Sequence, residues 1–578
     1  MPFSQGTPIV LTAPLTESIE HAGFFIQMAM ASMPSWMEKV LNWKYPNWKD
    51  LPREQDNSAK VAPCGLRVVE ETLKRIFGPD QVVVADPEMV DRFIGPETRI
   101  VAVSTHNPLG TTFAAGVYAS LFGSSREPIN AKYTKDLLTK IHNHPCRANY
   151  KVILGGSGSW QLPATNMLDQ LGIDCVVEGR AESKEVQELF RHAYAGQAIP
   201  RTIHAHHPAS YAEMIVPQSR TSFGVIEMTT GCGRRCSFCV PDLNPRVSFP
   251  KEDIMKAVEA NLAQGGNQIS LATEDMFIWE ADTYGPFFKP NNEALIDLYH
   301  SIAEKEGVKH ILLSHSTIAP AVLEPELIRE LAEILLPKSP IRLPRVSTHP
   351  EKRVLSPLIG IETGSARMGQ RIMAGKALPF QISDWPSIVI NGLEILNRNN
   401  WFPVLTLIIG APDETDDDCR ATLDLLYETE RRGLHAFWVP SIFTPLEGTR
   451  NAHDKELQET RQISRLQWQV LMKAWQLTSH LGLGSKTSMR MWAIGSFIMW
   501  GLKLRWTNGP NFTWPLFLFS GAISEDWMHR TGKLYQGQPL KIKTREELIA
   551  SISSKNQQAI ATAAAKTSGL YTLSRHRA

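Results

Sequence analysis

The chain has 578 residues, more than one hydrophobic core organises, so length alone predicts several domains. Its 60 basic and 59 acidic side chains leave a net charge of +1, which excludes a nucleic-acid binder working by bulk charge; 43% hydrophobic and 21% charged residues exclude a disordered chain. Seven cysteines, three of them between positions 232 and 239, argue against an extracellular disulfide framework and for metal chemistry in a reducing compartment, by default the cytoplasm.

The first residues lack the basic and continuously apolar segments of a signal peptide, and none is expected. From residue 8 to about 197, β-branched runs (9–12, 82–85, 100–104, 152–154, 175–177) alternate with stretches of helical apolar spacing (66–76, 133–141, 164–171, 183–195). That rhythm predicts an α/β, doubly wound, Rossmann-like domain over residues 1–200, with its ligand site at the carboxyl ends of the strands. Residues 14–60, rich in Met and Trp, are an insertion without an assigned place. A stretch rich in His and Pro, 201–220, reads as a linker. Over residues 221–455 a second series follows, with strands at 223–228, 269–272, 311–314, 358–361, 404–409 and 436–439, and helices at 251–264, 324–335, 388–397 and 416–432. Six such units predict a partial (β/α)6 barrel of the TIM type, its chemistry at the strand carboxyl ends. Residues 456–550 read as a helical, Trp-rich region. Its most apolar stretch, 491–504, is too short and too interrupted to span a membrane, and Trp492, Trp500, Trp506 and Trp514 read as internal packing before a pocket wall or membrane contact. The tail, 551–578, is expected to be disordered.

After the strand at 223–228 comes Thr230-Gly231-Cys232-Gly233-Arg234-Arg235-Cys236-Ser237-Phe238-Cys239, a CxxxCxxC loop. Three thiolates on one loop can hold three irons of a cubic cluster and leave the fourth open. Zinc is the alternative, with His204, His206 or His207 supplying a fourth ligand. Arg234 and Arg235 read as solvated loop arginines, or as positive charge beside an anionic cluster.

This loop, at the end of a first barrel strand and with an aromatic before its last cysteine, resembles that of the radical S-adenosylmethionine (radical SAM) superfamily. The resemblance implies that Cys232, Cys236 and Cys239 hold a [4Fe-4S] cluster whose open iron takes the amino and carboxylate groups of SAM. It also implies SAM-binding roles further along. Thr273 and Glu274, ending the second strand, are candidates for the SAM ammonium, although an acidic residue there also suits a helix cap. Gly360-Ile361-Glu362-Thr363-Gly364-Ser365 resembles the GxETGS segment, with Glu362 accepting from ribose hydroxyls and Ser365 donating to the carboxylate. Gly410-Ala411-Pro412-Asp413-Glu414-Thr415 is similar to the GxPxET turn near adenine. His315, after the third strand, is a candidate for substrate or proton handling.

A doubly wound domain before such a barrel resembles the cobalamin-dependent members. Gly155-Gly156-Ser157-Gly158 would admit the cobalamin tail against bare backbone, and Val177-Glu178-Gly179-Arg180 resembles their GEGE segment. The histidine motif that ligates cobalt in many such domains is missing; His106 stands after the third strand without the rest of it, and cobalamin is expected to bind with no histidine on cobalt. The resemblance implies a C-methyltransferase acting on an unactivated carbon: one SAM methylates cobalamin, a second yields a 5′-deoxyadenosyl radical, and an electron comes from a flavodoxin or ferredoxin. The alternative is an anaerobic oxidative cyclase or ring-rearranging enzyme on a tetrapyrrole; a non-catalytic cobalamin or redox sensor is disfavoured. The substrate, whether peptide, lipid or tetrapyrrole, stays open.

Overall fold

The computed structural model describes residues 5–20, 30–31, 33–111, 127–163, 165–283, 287–455, 457, 462–482, 530, 534–558 and 560. Contacts divide the chain into two units, Met1–Glu227 with Phe249–Ser270, and Met228–Ser248 with Leu271–Ala578.

In the first unit, strands β1 (Ile9–Thr12), β2 (Val82–Val84), β3 (Ile100–Ser104), β4 (Lys151–Gly155), β5 (Cys175–Glu178) and β6 (Thr202–His204) form a sheet in the order β2-β1-β3-β4-β5-β6. Every neighbouring pair is parallel. Successive side chains of a strand point to opposite faces, and the apolar runs fill both. Ile9, Leu11, Ala102, Ile153 and Cys175 enter one core with Leu66, Leu73, Val186 and Phe190 of helices Cys64–Phe77 and Lys184–Tyr194. Val10, Val101, Val103, Leu154 and Val176 enter the other with Leu137, Leu138 and Ile141 of helix Ile129–His142. The sheet is therefore doubly wound, and strand order reverses between β1 and β3, where such sheets open a crevice.

Two segments depart from expectation. The stretch 201–220 is not a bare linker, because it supplies β6 to the sheet edge. The insertion 14–60 builds a small core of its own: Leu15, Ile19, Leu41, Trp48 and Leu51 close on Ile129. Glu38 ties it to the following helix by accepting from Lys49, Lys132 and Tyr133.

The second series contains β7 (Val225–Glu227), β8 (Thr229–Thr230), β9 (Val247–Ser248), β10 (Gln268–Ala272), β11 (His310–Leu313), β12 (His315–Ser316), β13 (Leu358–Glu362), β14 (Val404–Ile409) and β15 (Phe437–Ile442). Strands β12 to β15 lie side by side in chain order and are all parallel, the pairing a βα barrel requires. The expected helices appear as Lys251–Ala263, Pro325–Leu335, Trp385–Arg398 and Asp416–Arg431, joined by others not expected, Asn292–Glu304 and the shorter Ala319–Leu323 and Ala366–Ile372. The strand β7 and the first residues of β10 group with the first unit; every residue beyond the carboxyl ends of β7 and β10 that concerns the site lies in the second.

Helix Arg465–Gly482 packs against Asp416–Arg431, fastened by fully buried Lys473 to Glu430 at 2.7 Å. The start of the expected tail is ordered: Ile552 is buried and Asn556 Nδ2 donates to the Pro379 carbonyl at 3.0 Å. Trp492, Trp500, Trp506 and Trp514 lie outside the described residues. Among the described residues, no helix is long and apolar enough to cross a membrane.

Candidate active site

The cysteine loop is clasped at its base. β8 and β9 pair antiparallel, Thr229 opposite Ser248 and Thr230 opposite Val247, so residues 231–246 form a closed excursion. Its middle is docked on the segment after helix Ala366–Ile372: Ser237 N donates to Ile372 O at 2.8 Å, and a Cβ on Gly375 would stand 1.9 Å from Arg234 O. Only glycine permits that approach. Burial pushes the Cys232 thiol up to about 12 against the pull of Arg234. Burial, then the neighbouring Cys236, holds Cys239 well above the ordinary thiol range. Burial thus favours the neutral thiol at both positions, and a bound cation would supply the charge that ionises them. Among the described residues, no three His, Cys, Asp or Glu side chains stand in a chelating arrangement.

Two buried ion pairs flank the loop. Arg234 is 1% exposed, and its Nε and Nη2 donate to Asp275 Oδ2 at 2.9 and 2.5 Å. The reading of Arg234 as a solvated loop arginine is therefore corrected, since Asp275 and the ring of Phe288, 5.5 Å from the guanidinium, enclose it. On the other side, Lys376 Nζ donates to Glu362 Oε1 at 2.6 Å and to Gly360 O at 3.2 Å, and stands 5.7 Å from the centre of the Phe238 ring. Burial disfavours the Lys376 charge, yet Glu362 outweighs it and raises the lysine's pKa. Sequence reasoning missed Lys376; the only local signal is Gly375 before it.

The candidate SAM residues divide. Thr273 Oγ1 is 2.5 Å from Thr229 Oγ1 and accepts from Asp275 N at 3.2 Å, so it ties strand ends together. The cap of the short helix Met276–Ile278 is Asp275, which accepts from Phe277 N, and not Glu274. Glu274 is exposed and precedes Asp275, which holds Arg234 of the loop. Glu362 lies at a register shift in β13 with φ +63°, a bulge that re-aims its side chain; besides Lys376 it accepts from Thr406 Oγ1 at 3.1 Å. Ser365 caps helix Ala366–Ile372 and gives its hydroxyl proton to Asp418 at 2.6 Å, so its donation is already committed within the chain. Gly410 N donates to Glu414 Oε2, which also accepts from Gln467, both at 2.8 Å. Thr415 and Asp418 then form a capping box for Asp416–Arg431, so this turn has a full structural role. His315 Nδ1 lies 2.8 Å from Ser314 Oγ; burial, with Lys376 nearby, lowers its pKa and favours the neutral ring.

In the first unit, the switch point is lined by hydrogen bonds. Glu17 Oε1 accepts from Thr105 Oγ1 at 2.8 Å and from His106 N at 3.0 Å, and lies 3.1 Å from His106 Nδ1. His106 Nε2 faces Asn130 Nδ2 at 3.4 Å. A Cβ on Gly156 would meet Thr105 O at 2.4 Å and one on Gly158 would meet His106 O at 2.3 Å, whereas Gly155 has only ordinary contacts. The chain's own backbone therefore accounts for Gly156 and Gly158; Gly156 and Ser157 are exposed at the tip. At the end of β5, Arg180 forms a two-pronged pair with Glu227, at 2.8 and 2.7 Å, and a bond to Glu182. His204 and His206 face the carboxylates of Glu178 and Glu185.

Residues 226–426 match the family model described as the radical SAM superfamily. These residues are a radical SAM domain. The chain is 25% identical over 222 residues to the ribosomal protein uS12 methylthiotransferase RimO of Carboxydothermus hydrogenoformans, covering 38% of this chain and 44% of that protein. It is 26% identical over 261 residues to the tRNA-2-methylthio-N(6)-dimethylallyladenosine synthase of Geobacter sulfurreducens, covering 44% and 51%. It thus spans about half the length of these curated relatives. Among solved structures it resembles the radical SAM methyltransferase TsrM of Kitasatospora setae, with TM-score 0.47, 14% identity, and coverage of 77% and 74%.

A radical SAM domain implies a [4Fe-4S] cluster and SAM, and the residues of this one fit both. Three soft thiols share one loop, buried Arg234 lies within it and buried Lys376 beside it, and Arg234 keeps a buried Nη1 without a hydrogen-bond partner among the described residues. Cys232, Cys236 and Cys239 would hold the cluster. Glu362 reaches the loop through Lys376, which stands over the Phe238 ring, and His315 adjoins Ser314, whose hydroxyl donates to the Thr273 carbonyl.

Proposed function

We propose that the chain is a cobalamin-dependent radical SAM C-methyltransferase. The observation that carries this reading is the cysteine loop itself, with Arg234 inside it paired to buried Asp275 and Lys376, paired to Glu362, standing over its Phe238 ring. When bound, the cluster supplies the electron that cleaves SAM, an electron drawn from a flavodoxin- or ferredoxin-like donor. The residues of the chain prepare that step. Lys376 and Arg234 offset the negative charge the loop gathers on ionisation, Glu274 offers a carboxylate to the SAM ammonium, and Glu362 retains acceptor capacity for ribose hydroxyls. A neutral His315 can accept or relay a proton at the mouth.

Cobalamin is assigned to the first unit. Its parallel sheet, with the order reversal between β1 and β3 and an exposed Gly156-Ser157 tip after β4, suits a nucleotide-bearing cofactor at the strand carboxyl ends. Both ring nitrogens of His106 already face partners in the chain, which favours cobalamin without histidine on cobalt.

The relatives named for methylthio transfer provide a second reading. Sulfur insertion consumes a sulfur atom and calls for a second sulfur-holding centre. The four remaining cysteines, Cys64, Cys146, Cys175 and Cys419, stand on separate elements, which favours methyl transfer. Product counting decides. A methyltransferase of this kind yields S-adenosylhomocysteine and 5′-deoxyadenosine, about one of each per methyl group. An oxidative cyclase yields no stoichiometric S-adenosylhomocysteine, and a methylthiotransferase leaves sulfur in its product; either result overturns the reading.

A further inference from the structure

Arg234 stands in the middle of the cysteine loop, and its environment is more constrained than packing alone calls for. Nε and Nη2 are spent on Asp275 Oδ2. That carboxylate is itself fully buried; Thr317 Oγ1 donates to the same oxygen at 2.8 Å, and Oδ1 accepts from Phe277 N at 3.1 Å. Phe288 covers the guanidinium face. Together these contacts fix the plane of the guanidinium and leave a single nitrogen, Nη1, buried with no acceptor among the described residues. A buried charged donor without an acceptor is costly, and native structures keep few of them. Arg234 is two positions from Cys232 and two from Cys236, so its side chain belongs to the neighbourhood of the cysteines.

We propose that Arg234 Nη1 donates a hydrogen bond to a sulfur of the [4Fe-4S] cluster, either Cys232 Sγ or an adjacent sulfide, with Asp275 and Thr317 acting as positioning residues that aim it. The inference rests on the cluster reading above. Hydrogen bonds to the sulfurs and nearby positive charge stabilise the more negative, reduced cluster and raise its reduction potential. One electron enters the cluster from an external low-potential reductant such as dithionite, and no bond is made or broken in that step. Arg234 therefore eases the reduction on which SAM cleavage depends.

The test is a potentiometric titration of the full chain, reconstituted anaerobically with iron and sulfide, the reduced cluster being read by electron paramagnetic resonance. Wild type, Arg234→Gln and Arg234→Lys are compared after iron and sulfide have been counted. At the potential where wild type is half reduced, Arg234→Gln should show a reduced-to-oxidised ratio lower by about tenfold or more, a shift of about 59 mV for one electron. Arg234→Lys keeps the charge and the partner Asp275 but offers no second nitrogen, and the ratio should fall by about threefold. An intact cluster in Arg234→Gln with the wild-type midpoint overturns the proposal, as it would leave Arg234 only a loop fastener. If Arg234→Gln holds no iron, Arg234→Lys decides on the same terms: a wild-type midpoint in it overturns the proposal. Wild type that binds no iron would instead sink the cluster reading beneath it, a distinguishable result.

Discussion

Both units gather loops at the carboxyl ends of parallel strands, and they load those ends differently. In the first, the loop after β3 is held by a shared carboxylate, Glu17, and by the glycine turn after β4, whose Gly156 and Gly158 exist to let backbone meet backbone. In the second, the loop after β8 is held by charge, Arg234 to Asp275 on one side and Lys376 to Glu362 on the other. Hydrogen-bonded loops suffice to shape a crevice for a large, weakly charged ligand. Soft thiolates that must ionise together need cations already in place, since little water is present to screen them.

That contrast breaks first at the cysteines. Replacing Cys232, Cys236 and Cys239 together by Ala should reduce iron and sulfide to background and abolish formation of 5′-deoxyadenosine, with the circular dichroism of the fold retained. Iron bound stoichiometrically by the triple variant would remove the second unit's side of the comparison. Next in size is the Lys376–Glu362 pair. Lys376→Met leaves a buried carboxylate unpaired, which typically costs about 3–5 kcal/mol, whereas Lys376→Met with Glu362→Leu should recover more than half of that loss in urea unfolding. A single-variant loss below about 1 kcal/mol would mean that the pair behaves as a solvated surface contact.

The first unit should respond through sterics. Gly156 has φ +102° and no room for a Cβ beside Thr105 O, so Gly156→Ala should cost about 1–3 kcal/mol. Gly155→Ala should stay within about 0.5 kcal/mol, since its nearest neighbour, Val177, is 3.8 Å from the added carbon. Equal losses at both positions, by chemical denaturation, would refute the backbone-contact account of the turn.

These particulars also show what the sequence carried. Strands such as Ile9–Thr12, buried on both faces, and Val404–Ile409, with alternate residues buried, were legible because parallel strands read as short runs rich in β-branched and apolar residues. The cysteine loop was legible because its ligands are adjacent in the chain. Arg234 and Lys376 were not: an arginine in a polar loop reads as solvated until Asp275, 41 positions on, is seen beside it, and Lys376 meets Glu362 only through a bulge that sequence periodicity does not mark. Ser365 was expected to donate to the SAM carboxylate, but it caps helix Ala366–Ile372 and its proton goes to Asp418, 53 positions away, a partner that no local motif names. Helix Asn292–Glu304 and strand β6 escaped notice, the latter because Thr202–His204 lies among prolines and histidines.

The smallest effect is also the most specific to the first unit. His106 has its pKa raised: burial alone would lower it, but the Glu17 carboxylate beside Nδ1 outweighs burial. A group whose folded pKa lies above its unfolded value of 6.5 gives stability that is fully present below 6.5 and is lost as pH rises through the folded pKa. Among the described residues the other side chain facing His106 is Asn130, which does not titrate in this range, so the pH dependence reports the histidine and Glu17. The unfolding free energy of wild type minus that of His106→Gln should therefore be largest in mildly acidic buffer and shrink as the pH is raised past the folded pKa. Glu17→Gln should flatten the same difference, because the neutral amide no longer favours the charged ring. A difference that grows with pH would mean that His106 is held neutral, that Glu17 is not its electrostatic partner, and that a ring nitrogen remains available for a metal.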